Sequence, residues 1–211
     1  LCISLVFSIT SINRSQDELT NFQLNTLIQA QSQLDVQSDI SVSKLRNWLE
    51  SFAEMTEVSK QANFDSLSQG LRQYFDELQL NLNVENIWLL NAQLQPLYTT
   101  TELSGYVIKN ATKALTAQRL QNRLYCLEIC QYLVSMPLMN KNGELAIVSI
   151  SISLVDMLYA MKSTLKQEVA IISFDDSPLA NLESALIIST SNSSLFNHIF
   201  NALSGVLLVN E

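Results

Sequence analysis

Few residues of this chain are equipped for covalent chemistry. There is one histidine, His198. A single imidazole can neither build a histidine-rich metal site nor mark a triad by itself. Asp175-Asp176 is a paired carboxylate, but Ser177-Pro178 follows it, so it reads as a solvated turn. Acid/base work would need a second polar group aimed at the pair, and the pattern offers none. With 4 Gly in 211 residues, no glycine-rich phosphate loop is present. The expectation is therefore no catalytic residue, no metal and no cofactor. Cys126 and Cys130 are too few for a structural zinc site. Their spacing is not Cys-x2-Cys and no histidine follows, which disfavours redox-motif and haem-attachment readings. In a straight strand residues four apart lie about 13 Å apart. A disulfide tolerates roughly 7 Å between Cα atoms. A bridge would need residues 127–129 to bulge or turn; otherwise the pair are reduced core cysteines. Cys2 falls in an apolar stretch and is expected to be unpaired.

Non-covalent recognition is better represented. In Leu145-Ala146-Ile147-Val148-Ser149-Ile150-Ser151-Ile152-Ser153, strand alternation puts Ala146, Val148, Ile150 and Ile152 on one face. Ile147, Ser149 and Ser151 take the other. The apolar face should receive helices, and the serine face is half polar, as for a pocket or for solvent. On the preceding strand Tyr132, Val134, Met136 and Leu138 oppose Gln131, Leu133, Ser135 and Pro137. Which set joins the serines depends on register, which one strand does not reveal. A pocket needs apolar walls and a few fixed polar groups. The candidates are Tyr98, Arg123, Tyr125, Tyr132, Ser135, Ser149 and Ser151. Apart from Lys141 in the turn, Arg123 is the nearest cation, which points to an anionic group on the ligand, such as a carboxylate. The plainer alternative is a solvated arginine at a strand end and serines facing water.

The elements that must position these residues follow from periodicity. Apolar runs at 124–139 and 145–153 flank Asn140-Lys141-Asn142-Gly143, a hairpin signal. Ser153 can cap a following helix with Leu154, Leu158, Met161 and Leu165 at helical spacing. Asn86–Leu90 and 96–100 form a second hairpin about a polar turn. Glu102 to Leu115 reads as a helix with Val107, Ile108, Ala111 and Leu115 on one side. Glu168 to Phe174 reads as the closing strand. Upstream, Leu45, Trp48, Leu49, Phe52 and Met55 make a continuous helical stripe. A looser stripe (Leu24, Leu27, Ile28, Leu34) precedes it, with a break expected over Asp35–Ser43. A further helix over Asp65–Leu80 carries Phe64, Leu67, Leu71, Tyr74, Phe75 and Leu78, capped by Asn63 or Asp65. Gly70 inside it marks a close packing contact. Beyond Asp175, strands at 185–189 and 205–209 flank a helix at 194–203, too little for a core of its own.

Charge and composition narrow the partners. The chain has 12 Lys+Arg against 20 Asp+Glu, a net charge of −8. Such a chain repels phosphate backbones, so nucleic acid is not an expected partner. Leu1 to Ile12 is apolar apart from small hydroxyl residues, then turns abruptly polar at Asn13-Arg14. Twelve residues are short of the about 20 that cross a bilayer. The stretch fits the outer end of a longer transmembrane helix, with a buried strand or a signal peptide as alternatives.

One stretch also resembles a known family. Cys126-x3-Cys130, the strand ending Met136-Pro137-Leu138, the Asn/Gly turn, the Ala146-Ile147-Val148 strand and the Leu154-Val155-Asp156-Met157-Leu158 helix look like extracytoplasmic double Cache sensor domains. The subtype is that of bacterial membrane-bound cyclic-di-nucleotide (GGDEF/EAL) enzymes. The resemblance is sharpest over Tyr125–Ile172. The turn at Asn91–Gln95 departs from it, lacking the usual Asp and Gly. The resemblance implies an α+β fold with long N-terminal helices on a five-stranded antiparallel PAS-like sheet. It implies residues 1–12 at the outer end of a transmembrane helix, 13–82 as long helices, 83–175 as the Cache module, and 176–211 as the start of a partial, membrane-proximal second module. It favours a Cys126–Cys130 disulfide. It further implies a non-enzymatic, small-molecule-sensing domain in the periplasm, anchored in the bacterial inner membrane by flanking helices. A homodimer through the N-terminal helices and a diguanylate cyclase or phosphodiesterase output would complete such a receptor. A ligand-free dimerisation or protein-docking module is the competing expectation.

Overall fold

A computed structural model of the chain describes residues 2–126, 130–166, 169–173 and 187–190. His198, Asp175-Asp176 and the expected elements at 194–203 and 205–209 lie outside them. The chain opens with one helix, α1 (Cys2–Met55), of 54 residues. At 1.5 Å per residue it is about 80 Å long. No break occurs at Asp35–Ser43, contrary to expectation. Ser38 there turns its hydroxyl back onto the Asp35 carbonyl at 2.9 Å, so its polar group is satisfied without leaving the helix. Among the described residues no helix is long and apolar enough to cross a membrane. A 3-10 turn (Val58–Lys60) leads to α2 (Asp65–Leu82). Neither Asn63 nor Asp65 caps it; Phe64 holds that position, while Asn63 Oδ1 accepts the Asp65 amide.

The five strands that follow α2 form a single antiparallel sheet. They are β1 (Val84–Asn91), β2 (Pro96–Thr99), β3 (Gln121–Cys126), β4 (Cys130–Met139) and β5 (Leu145–Ser153), in the order β2-β1-β5-β4-β3. Between β2 and β3 lies α3 (Gly105–Ala117), capped by Ser104, whose hydroxyl accepts the Val107 amide. After β5 comes α4 (Val155–Leu165), with Ser153 Oγ accepting the Val155 amide at 3.3 Å. The α+β class is as expected, with one correction to its membership. The expected closing strand is β6 (Ala170–Ser173), and it pairs with β7 (Ile187–Thr190) in a separate two-stranded sheet. The fifth strand of the main sheet comes instead from dividing the run at 124–139 into β3 and β4. Cys126 and Cys130 face each other across that hairpin.

The sheet separates two apolar layers. Val42, Leu45, Leu49 and Phe52 of α1, Leu67, Leu71 and Leu78 of α2, and Leu154, Leu158 and Met161 about α4 cover one face. That face consists of Ala146, Val148, Ile150 and Ile152 with Ile87, Leu89 and Val134. Alternation in β5 thus has the predicted sense. Met55, placed on the α1 stripe by spacing, is exposed. The other face receives α3, with Val107 and Ala111 against Trp88, Leu90, Leu133 and Ile147. Gly143 (φ +78°) closes the β4–β5 turn in the left-handed region that glycine favours.

Gly70 is where α2 touches α1. A Cβ there would sit 2.6 Å from Phe52 Cζ. The Phe52 ring is buried and stacked on Trp48 at 4.6 Å, with Tyr74 against it edge-on at 5.7 Å, so it has nowhere to move. Alanine gains about 1 kcal/mol of helix propensity. Overpacking costs about 1–3 kcal/mol. Gly70→Ala is therefore expected to lower the urea midpoint, where an exposed helical Gly→Ala change would raise it; an increase would show that the two helices can separate without cost.

Candidate functional site

The register settles which residues share the serine face. Across β1, β5, β4 and β3 one row reads Trp88, Ser149, Ser135, Gln121. The next reads Asn86, Ser151, Leu133, Arg123. Beyond it Ser153, Gln131 and Tyr125 align. Five of the seven residues expected to bind ligand, Arg123, Tyr125, Ser135, Ser149 and Ser151, thus lie on one face. Tyr98 and Tyr132 do not. Tyr98 pairs with Leu89 and Tyr132 with Ile152 and Leu124, and both pack into the layer under the long helices. The Arg72 guanidinium lies over the Tyr98 ring at 5.5 Å.

The first row is sealed. Ser135 and Ser149 are 0% exposed, with their hydroxyls 2.8 Å apart. Asn110 of α3 donates its amide to Ser135 Oγ at 2.9 Å and to the Gln121 carbonyl at 3.3 Å. Trp88 Nε1 donates to the Glu102 carbonyl, tying down the approach to α3. These groups hold the helix against the sheet. Asn110 escaped the sequence reading because an asparagine among apolar residues carries no mark of what it faces. It displaced Ile108 from the buried side of α3: Val107, Asn110, Ala111 and Ala114 point inward, and Ile108 is exposed.

In the lower rows Ser151 is also 0% exposed and Tyr125 and Gln131 are buried, while Asn86, Arg123 and Tyr106 reach the surface. Asn86 Nδ2 donates to Ser151 Oγ at 3.4 Å, and the Tyr125 hydroxyl donates to Gln131 Oε1. Tyr106, at the start of α3, stacks on Tyr125 at 5.9 Å and is 43% exposed. Arg123 is exposed at the rim and forms no ion pair among the described residues. Two amides, a serine hydroxyl and the Tyr125 phenol therefore converge beneath Tyr106, with the Arg123 guanidinium at the margin. Asn86, Tyr106 and Gln131 were not foreseen; alternation would have found Asn86 and Gln131 once strand pairing was known, whereas Tyr106 depends on how α3 docks. No group of three or more His, Cys, Asp or Glu side chains able to hold a metal occurs among the described residues.

No model of a known protein family matches the chain, and none of the curated proteins does. Solved structures are similar at low identity. One is the ligand-binding domain of the Campylobacter jejuni chemoreceptor Tlp3 in complex with L-norvaline. It is 12% identical, with a TM-score of 0.46, covering 82% of this chain and 72% of that one. The Tlp3 sensory domain with isoleucine bound gives 12% identity and a TM-score of 0.45, covering 83% and 74%. The sensor domain of the zinc-responsive histidine kinase CzcS from Pseudomonas aeruginosa gives 16% and 0.29, covering 51% and 94%.

Tyr125 makes the site sensitive to alkaline pH. Burial raises its pKa; the hydrogen bond with Ser151 opposes this, and the Glu85 carboxylate adds to the rise. Tyr98 is raised too, chiefly by burial. A phenol in the unfolded chain loses its proton first, near pH 10. The stabilisation is thus fully present below about pH 10 and is lost as pH climbs through the folded value. Melting scans between pH 8 and 11 should show this decline. Tyr125→Phe lowers stability at pH 8, by leaving Gln131 without its donor, but should flatten the alkaline decline. An unchanged slope in Tyr125→Phe would remove Tyr125 from the titration.

Proposed function

We propose that the chain is an extracytoplasmic ligand-sensing domain of a membrane receptor. The observation that carries this reading is the convergence of Asn86, Tyr125, Gln131 and Ser151 on one sheet face, beneath Tyr106 and beside Arg123, which forms no ion pair among the described residues. Polar groups fixed among aromatic and apolar walls suit a small molecule. Arg123 favours a ligand with a carboxylate. The five-stranded antiparallel sheet with a long helix on one face is the arrangement that the Cache resemblance implies. The resemblance also supports the inner-membrane anchor at residues 1–12, the periplasmic location, the Cache module at 83–175 and the partial module after it. The cyclic-di-nucleotide output rests on the resemblance alone. A ligand moves such a receptor only by binding its two states unequally.

Thermal-shift screening of amino acids and small carboxylic acids tests the site. Arg123→Ala and Ser151→Ala should each weaken a hit at least fivefold, while Tyr132→Phe on the opposite face leaves it unchanged. Unchanged binding in both site variants would refute this placement. The sealing of Ser135 and Ser149 by Asn110 favours the second reading, a ligand-free dimerisation or docking module, over that part of the face. Ser151 is as deeply buried, so the lower rows stand as the site through Asn86, Arg123 and Tyr106, which reach the surface above it.

Cys130 is disulfide-bonded. Its register partner is Cys126, which supports the Cys126–Cys130 bridge. Peptide mapping of unreduced protein from an oxidising compartment should recover the two joined; alkylation of both thiols without reductant would rule the bridge out. The exposed Leu24 and Ile28 of α1 support a parallel homodimer. Cysteines placed singly along Leu19–Leu34 in the membrane-bound protein should crosslink between copies, and no crosslink at any position would exclude that interface.

A further inference from the structure

At the end of the sheet opposite the Tyr125–Gln131 pair, a cleft of about 600 Å³ opens between three turns. The start of α2, the β1–β2 turn and the β4–β5 turn form its walls. We propose that this cleft binds a small organic cation with an apolar body, such as a primary alkylamine. An asparagine sets each of the two hairpin turns that wall the cleft. Asn91 Oδ1 accepts the Gln93 and Gln95 amides at 2.9 and 2.8 Å. Asn140 Oδ1 accepts the Asn142 and Glu144 amides, both at 2.9 Å. Asn140 Nδ2 crosses to the Ala62 carbonyl at 3.0 Å, and the Lys141 amide to the Gln61 carbonyl at 3.0 Å. The β4–β5 turn is thereby fastened to the segment that leads into α2, so the cleft needs no ordering on binding, which is the usual cost of recognition by turns.

Its lining sets the ligand class. Phe64, Ala92, Leu97 and Leu145 supply apolar surface, and Leu97 is 44% exposed on the edge strand. Among the described residues the charged lining groups are Asp65 and Glu144, with no Lys or Arg. Asp65 takes one hydrogen bond, from Asn63 Nδ2 at 2.6 Å, and Glu144 one, from Asn140 Nδ2 at 2.7 Å. Each carboxylate keeps acceptor positions for an ammonium group. An anion would meet two like charges. Both residues are exposed, so a neutral apolar molecule would gain nothing from the carboxylates, whereas an ammonium would gain a charge-assisted hydrogen bond.

The test uses the intact chain at low salt and follows backbone amides by NMR during titration with hexylammonium chloride, 1-hexanol and sodium hexanoate. Hexylammonium should shift the amides of 63–68 and 143–145 with a millimolar Kd, at least fivefold tighter than hexanol, and hexanoate should shift none of them. Asp65→Asn and Glu144→Gln keep an acceptor for their asparagine partners and should each weaken hexylammonium at least threefold. Equal responses to hexanol and hexylammonium, shifts confined to other parts of the chain, or variants that bind like the parent would overturn the proposal. The three-probe comparison on the parent chain decides it even where a variant melts early. The ligand-binding reading of the serine face is untouched by either result.

Discussion

Two hydroxyls cut off from water, those of Ser135 and Ser149, govern how this sheet is covered. A buried polar group without a partner costs about 1–3 kcal/mol. Bonding the two serines to each other leaves a further demand at Ser135, and Asn110 meets it while also reaching the Gln121 carbonyl. That double contact fixes the rotation of α3 about its own axis. Val107 and Ala111 then face the sheet, and Tyr106, one turn earlier, comes to rest on Tyr125. A rotation of one residue would take the Asn110 donor away from Ser135 and the Gln121 carbonyl and move Tyr106 off Tyr125. The polar rows at the edge of the sheet therefore depend on a network that makes no contact with anything outside the protein.

The opposite face obeys a different rule. Ala146, Val148, Ile150 and Ile152 carry no hydrogen-bonding side chain, so apolar burial and close approach alone determine how the long helices sit. Gly70 sets that approach by leaving room for the Phe52 ring. The same central strand, β5, thus meets a specific polar lock on one side and dense apolar packing on the other. β5 therefore stands between Ser151 and the long helices on the opposite face.

Periodicity made the elements legible and pairing left the site half hidden. The period of two in β5 separated its apolar face from its serine face, and the Leu45–Phe52 stripe of α1 and the stripe of α2 identified buried sides, because burial on one face imposes a repeat on any sequence; Leu24, Ile28 and Met55 of the α1 stripes are exposed. Asp35–Ser43 looked like a break because serine and aspartate favour turns, yet neighbouring helical turns satisfied Ser38 locally. Tyr98 and Tyr132 looked like pocket residues by proximity in sequence; which face a tyrosine takes is decided by strand register, and no local signal encodes it. The strand at 170–173 could be recognised as a strand but not assigned to a sheet, for the same reason. Asn110 was hidden by its type. A polar residue on an apolar helical face looks like noise until the hydroxyl opposite it is known.

Register also explains why the cysteine spacing and the site belong together. Tyr125 and Gln131 are paired across the β3–β4 hairpin, one step from the paired positions Cys126 and Cys130. A slip of one residue in this short hairpin would turn Tyr125 from the serine face to the face under the long helices. Nothing apolar in Gln121-Asn122-Arg123 resists such a slip, since these side chains are polar and two of them are exposed. Leu124, packed under the long helices, resists it from one side, and the closed end of the hairpin supplies the rest of the constraint. The Tyr125–Gln131 hydrogen bond supplies part of it, and it uses the same groups that would receive a ligand. A covalent bridge at the next pair of positions would hold the register without calling on the phenol or the amide, leaving both free to exchange their mutual hydrogen bond for one to a bound molecule.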